Sequence, residues 1–238
     1  MIARRTAESA LSRHRKDWEQ LAVDDPLWAV SGKRDTAHAP WTVGDFIATG
    51  QVEVDHVLET AASFGLPKRR ELALDFGCGV GRTTRALADR FERCEAVDIS
   101  EGMLVHARQL NSDLANCCFR VNDRADLGMF ESETFDVVYS SFVLQHLPST
   151  AMAAGYIREF IRVARPGGLV VFQMPDHLPW RHRLQLRRRL RVHPVRMIAL
   201  SRGAIEDIVE RSGGSVQFAE PVDATEPIAG YRYYVAPS

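Results

Sequence analysis

The feature that most constrains this chain is the run Leu72-Ala-Leu-Asp-Phe-Gly-Cys-Gly-Val-Gly81, an apolar stretch leading straight into closely spaced glycines. An apolar run stopped by glycines reads as a buried strand. Residues 80–91 then place Val80, Thr84, Leu87 and Phe91 on one helical face. A strand, a glycine turn and a helix in that order let a ligand approach the backbone and face the helix N-terminus. A dinucleotide fingerprint requires G-x-G-x-x-G, but here the third glycine comes one residue early and Arg82 stands in its place. That argues against NAD. Asp98 ends the next apolar run, where a carboxylate can accept hydrogen bonds from both hydroxyls of a ribose.

From residue 71 onward, short apolar runs alternate with amphipathic helices, the pattern of βαβ units and a mostly parallel sheet. Strands are expected at 72–76, 95–99, 118–121, 135–140 and 168–173, the last after the Pro166-Gly167-Gly168 turn. Helices are expected at 80–91, around Met103 and Ala107, at 151–164, and from an N-cap at Ser201 to Arg211. Two alternating strands, 216–219 and 231–235, close the chain. Residues 1–70 read as a polar, helical extension with Trp18, Trp28, Trp41 and Phe46 as anchors and Pro26, Gly32, Pro40 and Gly44 as breaks. Its last helix, from Thr49 or Gly50 to Phe64, carries Val54, Val57, Leu58, Ala61 and Phe64 on one face. The chain thus divides into an extension, 1–70, and a core, 71–238.

Composition narrows the partners. Thirty Lys and Arg against thirty-one Asp and Glu leave a net charge of −1, so no global field draws the chain to DNA, and RNA is disfavoured. Cys78, Cys94, Cys117 and Cys118 have neither C-x-x-C spacing nor a histidine cluster, so reduced thiols in a cytoplasmic protein are expected, without a zinc site. No secretory signal and no apolar run of membrane-spanning length is expected.

These residues resemble the class I S-adenosylmethionine (SAM)-dependent methyltransferases from about Glu71 to the end. Asp75-Phe-Gly-Cys-Gly-Val-Gly81 resembles the family's first motif and Val97-Asp98-Ile-Ser-Glu-Gly-Met103 its second. Asn122-Asp123 through Leu127 is similar to the loop that meets the adenine. Phe135 to Ser141 and Arg165-Pro-Gly-Gly168 follow in the family's order. The resemblance implies a Rossmann-like, seven-stranded, mostly parallel sheet with helices on both faces and a C-terminal antiparallel hairpin. It also implies SAM as cofactor, with S-adenosylhomocysteine (SAH) as product. Asp75 and Ser140 are then cofactor-binding; the backbone at Gly77, Cys78 and Gly79 faces the methionine part; Asp98 takes the ribose and Asp123 the adenine amino group. Ile99 and Met103 flank the ring. Arg124 stands where many relatives have a small residue, so it either points away or reshapes the pocket.

Methyl transfer to a hydroxyl also requires removal of a proton. His146, just past the fourth strand, is the first candidate base, with Asp176 and His177 second; a turn-capping role for His146 is the plain alternative. These three could also converge on a metal, though no metal is assigned. Seven arginines and two histidines between Arg181 and Arg196 read either as a solvated helix face or as a surface for an anionic acceptor or a membrane. The acceptor expected is a hydroxyl of a sugar, glycan or related small metabolite, as in bacterial enzymes of glycan or natural-product assembly. The competing readings are a nitrogen or carbon acceptor, or a cofactor-binding module without turnover. A homodimer is compatible with all of them. Trp41, Phe46 and Gly50 are placed to close the site like a lid.

Overall fold

The computed structural model describes residues 2–31, 42–178, 197–224 and 228–238. Three helices come first: α1 (Ile2–Asp24), α2 (Pro26–Ser31) and α3 (Val43–Ala62). The alternating part follows as β1 (Leu72–Phe76), α4 (Arg82–Ala88), β2 (Arg93–Asp98), α5 (Glu101–Leu110), β3 (Cys117–Val121) and β4 (Phe135–Ser140). A short 3-10 turn (Leu144–His146) leads to α6 (Thr150–Val163), β5 (Ala164–Pro175), α7 (Arg202–Arg211), β6 (Gly214–Ala224) and β7 (Ile228–Pro237). The expected strands and helices are all present, with ends shifted by up to about five residues except at the start of α3.

The seven strands run in the order β3-β2-β1-β4-β5-β7-β6. The first five are parallel, and β7 is antiparallel to both β5 and β6. Alternation along β1 explains the two layers. Leu72, Leu74 and Phe76 face the core shared with α6 and α7, while Ala73 faces α3 and α4. Strand order reverses between β1 and β4, and in open α/β sheets ligands bind in the crevice beyond the carboxyl ends at such a point. Among the described residues no helix is long and apolar enough to cross a membrane.

Helix α3 begins at Val43, six residues before the earlier of its two expected starts. The Thr42 hydroxyl accepts from the Asp45 N–H at 3.1 Å, an N-cap that outweighs the glycine read as a break at position 44. Gly50 lies inside the helix for a packing reason. A Cβ there would come within 2.4 Å of the Arg82 carbonyl oxygen, so the glycine lets α3 cross closely over α4. Val54, Val57, Leu58 and Ala61 are buried as expected, whereas Phe64 is 36% exposed. Helix α3 is thus a full member of the layer over the sheet.

Candidate functional site

The glycine turn after β1 is stitched to β2 by its own backbone. The N–H groups of Gly77 and Cys78 donate to the Val97 carbonyl at 2.7 and 3.1 Å, and that of Gly79 donates to Asp98 Oδ2 at 2.9 Å. Positive φ at Gly77 (72°) and Gly79 (54°) makes this path possible. These amides are therefore engaged within the chain, and the turn presents room and a close backbone rather than free donors. That room is bounded tightly: a Cβ on Gly77 would meet Val143 at 2.3 Å, and one on Gly79 would meet Val30 of α2 at 2.5 Å. The Cys78 side chain points into the core beside Ala96 and Leu104.

Asp75 lies beneath the turn, where Oδ2 accepts from the hydroxyls of Thr83 and Thr84 at 2.9 and 2.7 Å. Burial pushes its carboxyl up to about 6, against the pull of those two hydrogen bonds. Asp98 stands at the edge of the turn. Its Oδ1 accepts from the Ser100 N–H and its Oδ2 from Gly79, both at 2.9 Å, and burial again pushes it up to about 6. Each oxygen keeps a lone pair for a further donor.

Beside Asp98 opens a cavity of about 500 Å³, within the range of small-ligand sites. Ile99, Asp123, Arg124 and Asp126 form one side of it, and Leu11 and Arg15 of α1 the other. Ile99 and Asp123 therefore share one cleft, and Arg124 borders it. Ser140 Oγ, at the end of β4, is buried with no hydrogen-bond partner among the described residues. Met103 differs from expectation. It is fully buried against Leu21, Ala22, Phe46 and Val80, because its side of α5 meets α1 and α3, and it does not line the cavity. Phe46 belongs to the same apolar cluster, so neither it nor Gly50 acts as a closing flap; Trp41 lies outside the described residues.

His146 ends the 3-10 turn after β4, half-buried, with the Trp18 ring of α1 edge-on at 5.8 Å between centroids. Asp176 Oδ1 accepts from the Arg202 N–H at 2.8 Å and so holds the start of α7, with His177 exposed beside it. Among the described residues, His146, Asp176 and His177 form no group placed to hold a metal. The arginine-rich segment 181–196 lies outside the described residues.

Sequence reasoning missed Glu53. Its carboxylate accepts from Tyr139 OH at 2.6 Å, Ser141 Oγ at 2.5 Å and Arg82 Nη2 at 2.7 Å, with Arg232 at 3.6 Å. Burial alone would raise its carboxyl, but Arg82 and the Ser141 and Tyr139 hydroxyls hold it below the usual range. The available signal was Arg82 itself, a charged residue where a dinucleotide turn has glycine.

Residues 74–172, under half of the chain, match the model of the protein family described as "Methyltransferase domain". The chain is 33% identical over 124 residues to tocopherol O-methyltransferase, chloroplastic, of Arabidopsis thaliana, covering 49% of this chain and 32% of that protein. It is 35% identical over 109 residues to trans-aconitate 2-methyltransferase of Methylobacterium radiotolerans, covering 45% of this chain and 39% of the relative. The chain therefore spans about a third to two-fifths of the length of these curated relatives. The crystal structure of magnesium protoporphyrin IX methyltransferase from Synechocystis PCC 6803, with bound SAH, superposes with a TM-score of 0.66 at 23% identity. That match covers 94% of this chain and 98% of the other. The fold is thus the Rossmann-like fold of the class I methyltransferases. Within it, residues 74–172 are the segment that matches a methyltransferase domain.

Proposed function

We propose that this chain is a SAM-dependent methyltransferase acting on a small-molecule acceptor. The observation that carries the reading is Asp98, a carboxylate held by two backbone amides at the carboxyl end of β2, next in the chain to Ile99, which lines a nucleoside-sized cavity. The residues present fit the cofactor. Asp98 has lone pairs for the ribose hydroxyls, Ile99 offers an apolar face to the adenine, and Asp123 a carboxylate to its amino group. The backbone at Gly77, Cys78 and Gly79 is assigned to the methionine part, and Ser140 Oγ is a polar atom at the same edge with no partner among the described residues. Asp75 acts from below by fixing Thr83 and Thr84 at the start of α4.

SAM supplies an electrophilic methyl group, so the protein's work is to align the acceptor, exclude water and take up a proton where the acceptor is a hydroxyl. We assign that last task to His146, with a sugar, glycan or related metabolite hydroxyl as acceptor. The sequence arguments for a cytoplasmic enzyme, and for residues 1–70 as a cap on the 71–238 core, belong to this proposal. The arginine-rich segment is kept as the surface that draws an anionic acceptor; acceptor affinity unaffected by salt would remove that role.

Calorimetric titration with SAH tests the cofactor reading. Micromolar binding that weakens about a hundredfold or more in Asp98→Ala, with no binding of NAD, is expected. A folded chain that ignores SAH overturns the reading. Turnover of the true acceptor retained in a folded His146→Ala removes the base assignment and favours a nitrogen or carbon acceptor.

A further inference from the structure

Helix α1 meets the α/β core at the nucleotide end of the cleft, and through specific polar contacts. Glu19 sends its carboxylate to the N-terminus of α5, accepting from the N–H groups of Glu101 at 2.9 Å and Gly102 at 3.0 Å, and from the Ser100 hydroxyl at 3.1 Å. The first amides of a helix have no partner within it, and the helix dipole favours an anion there. Ser100 is also the residue whose N–H holds Asp98. One turn earlier, Arg15 reaches toward Asp123 at 3.9 Å and Glu19 at 3.7 Å. One turn before that, Leu11 is buried in the main core, against which Ile99 also packs, and both residues line the cavity. The cavity therefore offers apolar surface from Leu11 and Ile99 beside the polar groups of Ser12, Arg15, Asp123 and Asp126. Apolar surface next to hydrogen-bonding groups is what an adenine ring requires.

We propose that α1 is the closing wall of the nucleotide subsite and that Glu19 is its latch, so that an adenosine-containing ligand enters and leaves only when Glu19 releases α5. This rests on the cofactor reading above and adds to it a residue and an order of events. Gly102 makes the latch testable without touching the cavity. Its backbone is helical and suits any residue, but a Cβ there would come within 2.8 Å of Glu19 Oε2 and 3.0 Å of the Ala22 Cβ. Larger side chains at 102 therefore push α1 away from α5.

The test measures SAH association and dissociation rates by surface plasmon resonance for the wild type, Glu19→Gln and Gly102→Val, together with hydrogen exchange of the α1 amides. The expected result is dissociation at least tenfold faster in both variants, with α1 exchange in the wild type slowed by SAH. The exchange measurement needs no variant and stands if either substitution fails to fold. Binding of SAH with variant rates within twofold of wild type and α1 exchange unchanged overturns the latch alone. Absence of SAH binding by the wild type overturns the cofactor reading and the latch with it.

Discussion

Two buried carboxylates flank the glycine turn, and they are held in opposite ways. Glu53, reaching in from α3, is ringed by cations and hydroxyls and is held below the usual carboxylate range. Asp98, ending β2, has only backbone amides for partners and is pushed up to about 6. Burial raises both; the difference is the guanidinium of Arg82 beside Glu53. A carboxylate fully engaged by protein cations is part of the framework, whereas one left with two amides keeps capacity for a ligand's hydroxyls. The contrast places Glu53 among the groups that hold β4, α3 and α4 together and supports the proposed binding role of Asp98.

The largest effect expected is at Glu53. Its side chain is 13% exposed and that of Arg82 is 8% exposed, so Glu53→Leu leaves a guanidinium buried without its partner. A loss of about 3–5 kcal/mol is expected from thermal or urea unfolding. Glu53→Leu with near-normal stability would break the comparison, since the cluster would then be incidental. Turnover comes next. His146→Ala should lower it about a hundredfold or more with a hydroxyl acceptor, with the melting temperature little changed.

Asp98 supplies the pH test. In the folded chain its proton is lost near 6, and in the unfolded chain near 4, so the folded state holds the extra proton between those values. By linkage this group's contribution to stability falls as pH rises through that window and stays at its lower value above it. Ligand hydroxyls donate to the ionised form, so SAH affinity should run the other way. It is constant above about pH 6.5 and declines by up to about tenfold per pH unit below 6. Calorimetry at pH 5 and 7.5 checks this, and Asp98→Asn should bind weakly with a flatter profile. An affinity independent of pH in the wild type would mean that the ligand does not use this carboxylate.

How much of this was legible in the sequence follows from where each signal lies. The strand and glycine runs, Asp98 and the Ser201 cap are local patterns, read from neighbours in the chain. Gly44 was read as a break and Gly50 as a helix start because a glycine's sequence does not distinguish an end from a position inside a helix; at Gly50 only α4 packed against it decides. The resemblance put Met103 beside the adenine ring, whereas its burial is decided by Leu21, Ala22 and Phe46, which lie far from it in the chain. The Glu53 cluster joins residues 53, 82, 139, 141 and 232 from four separate segments, and nothing in their spacing announces it. The Glu19 contact likewise joins α1 to residues 100–102. Burial of a face is written locally; the pairing of polar groups across layers is not.

Asp75 lies between the two extremes and gives the finest test. It is 1% exposed, pushed up to about 6 by burial, and stabilised in its charged form by the Thr83 and Thr84 hydroxyls. Thr84→Val preserves shape while removing one donor to the carboxylate, so its cost depends on whether Asp75 is ionised. At pH 8 the charge remains and the lost bond should cost about 1–2 kcal/mol. At pH 5 Asp75 is mostly protonated in the folded chain, a neutral carboxyl is less dependent on donors, and the loss should shrink to under about 1 kcal/mol. Urea unfolding of the variant and wild type at the two pH values measures that difference. An equal loss at both would mean that Asp75 stays charged throughout, placing it with Glu53 in the framework rather than with Asp98.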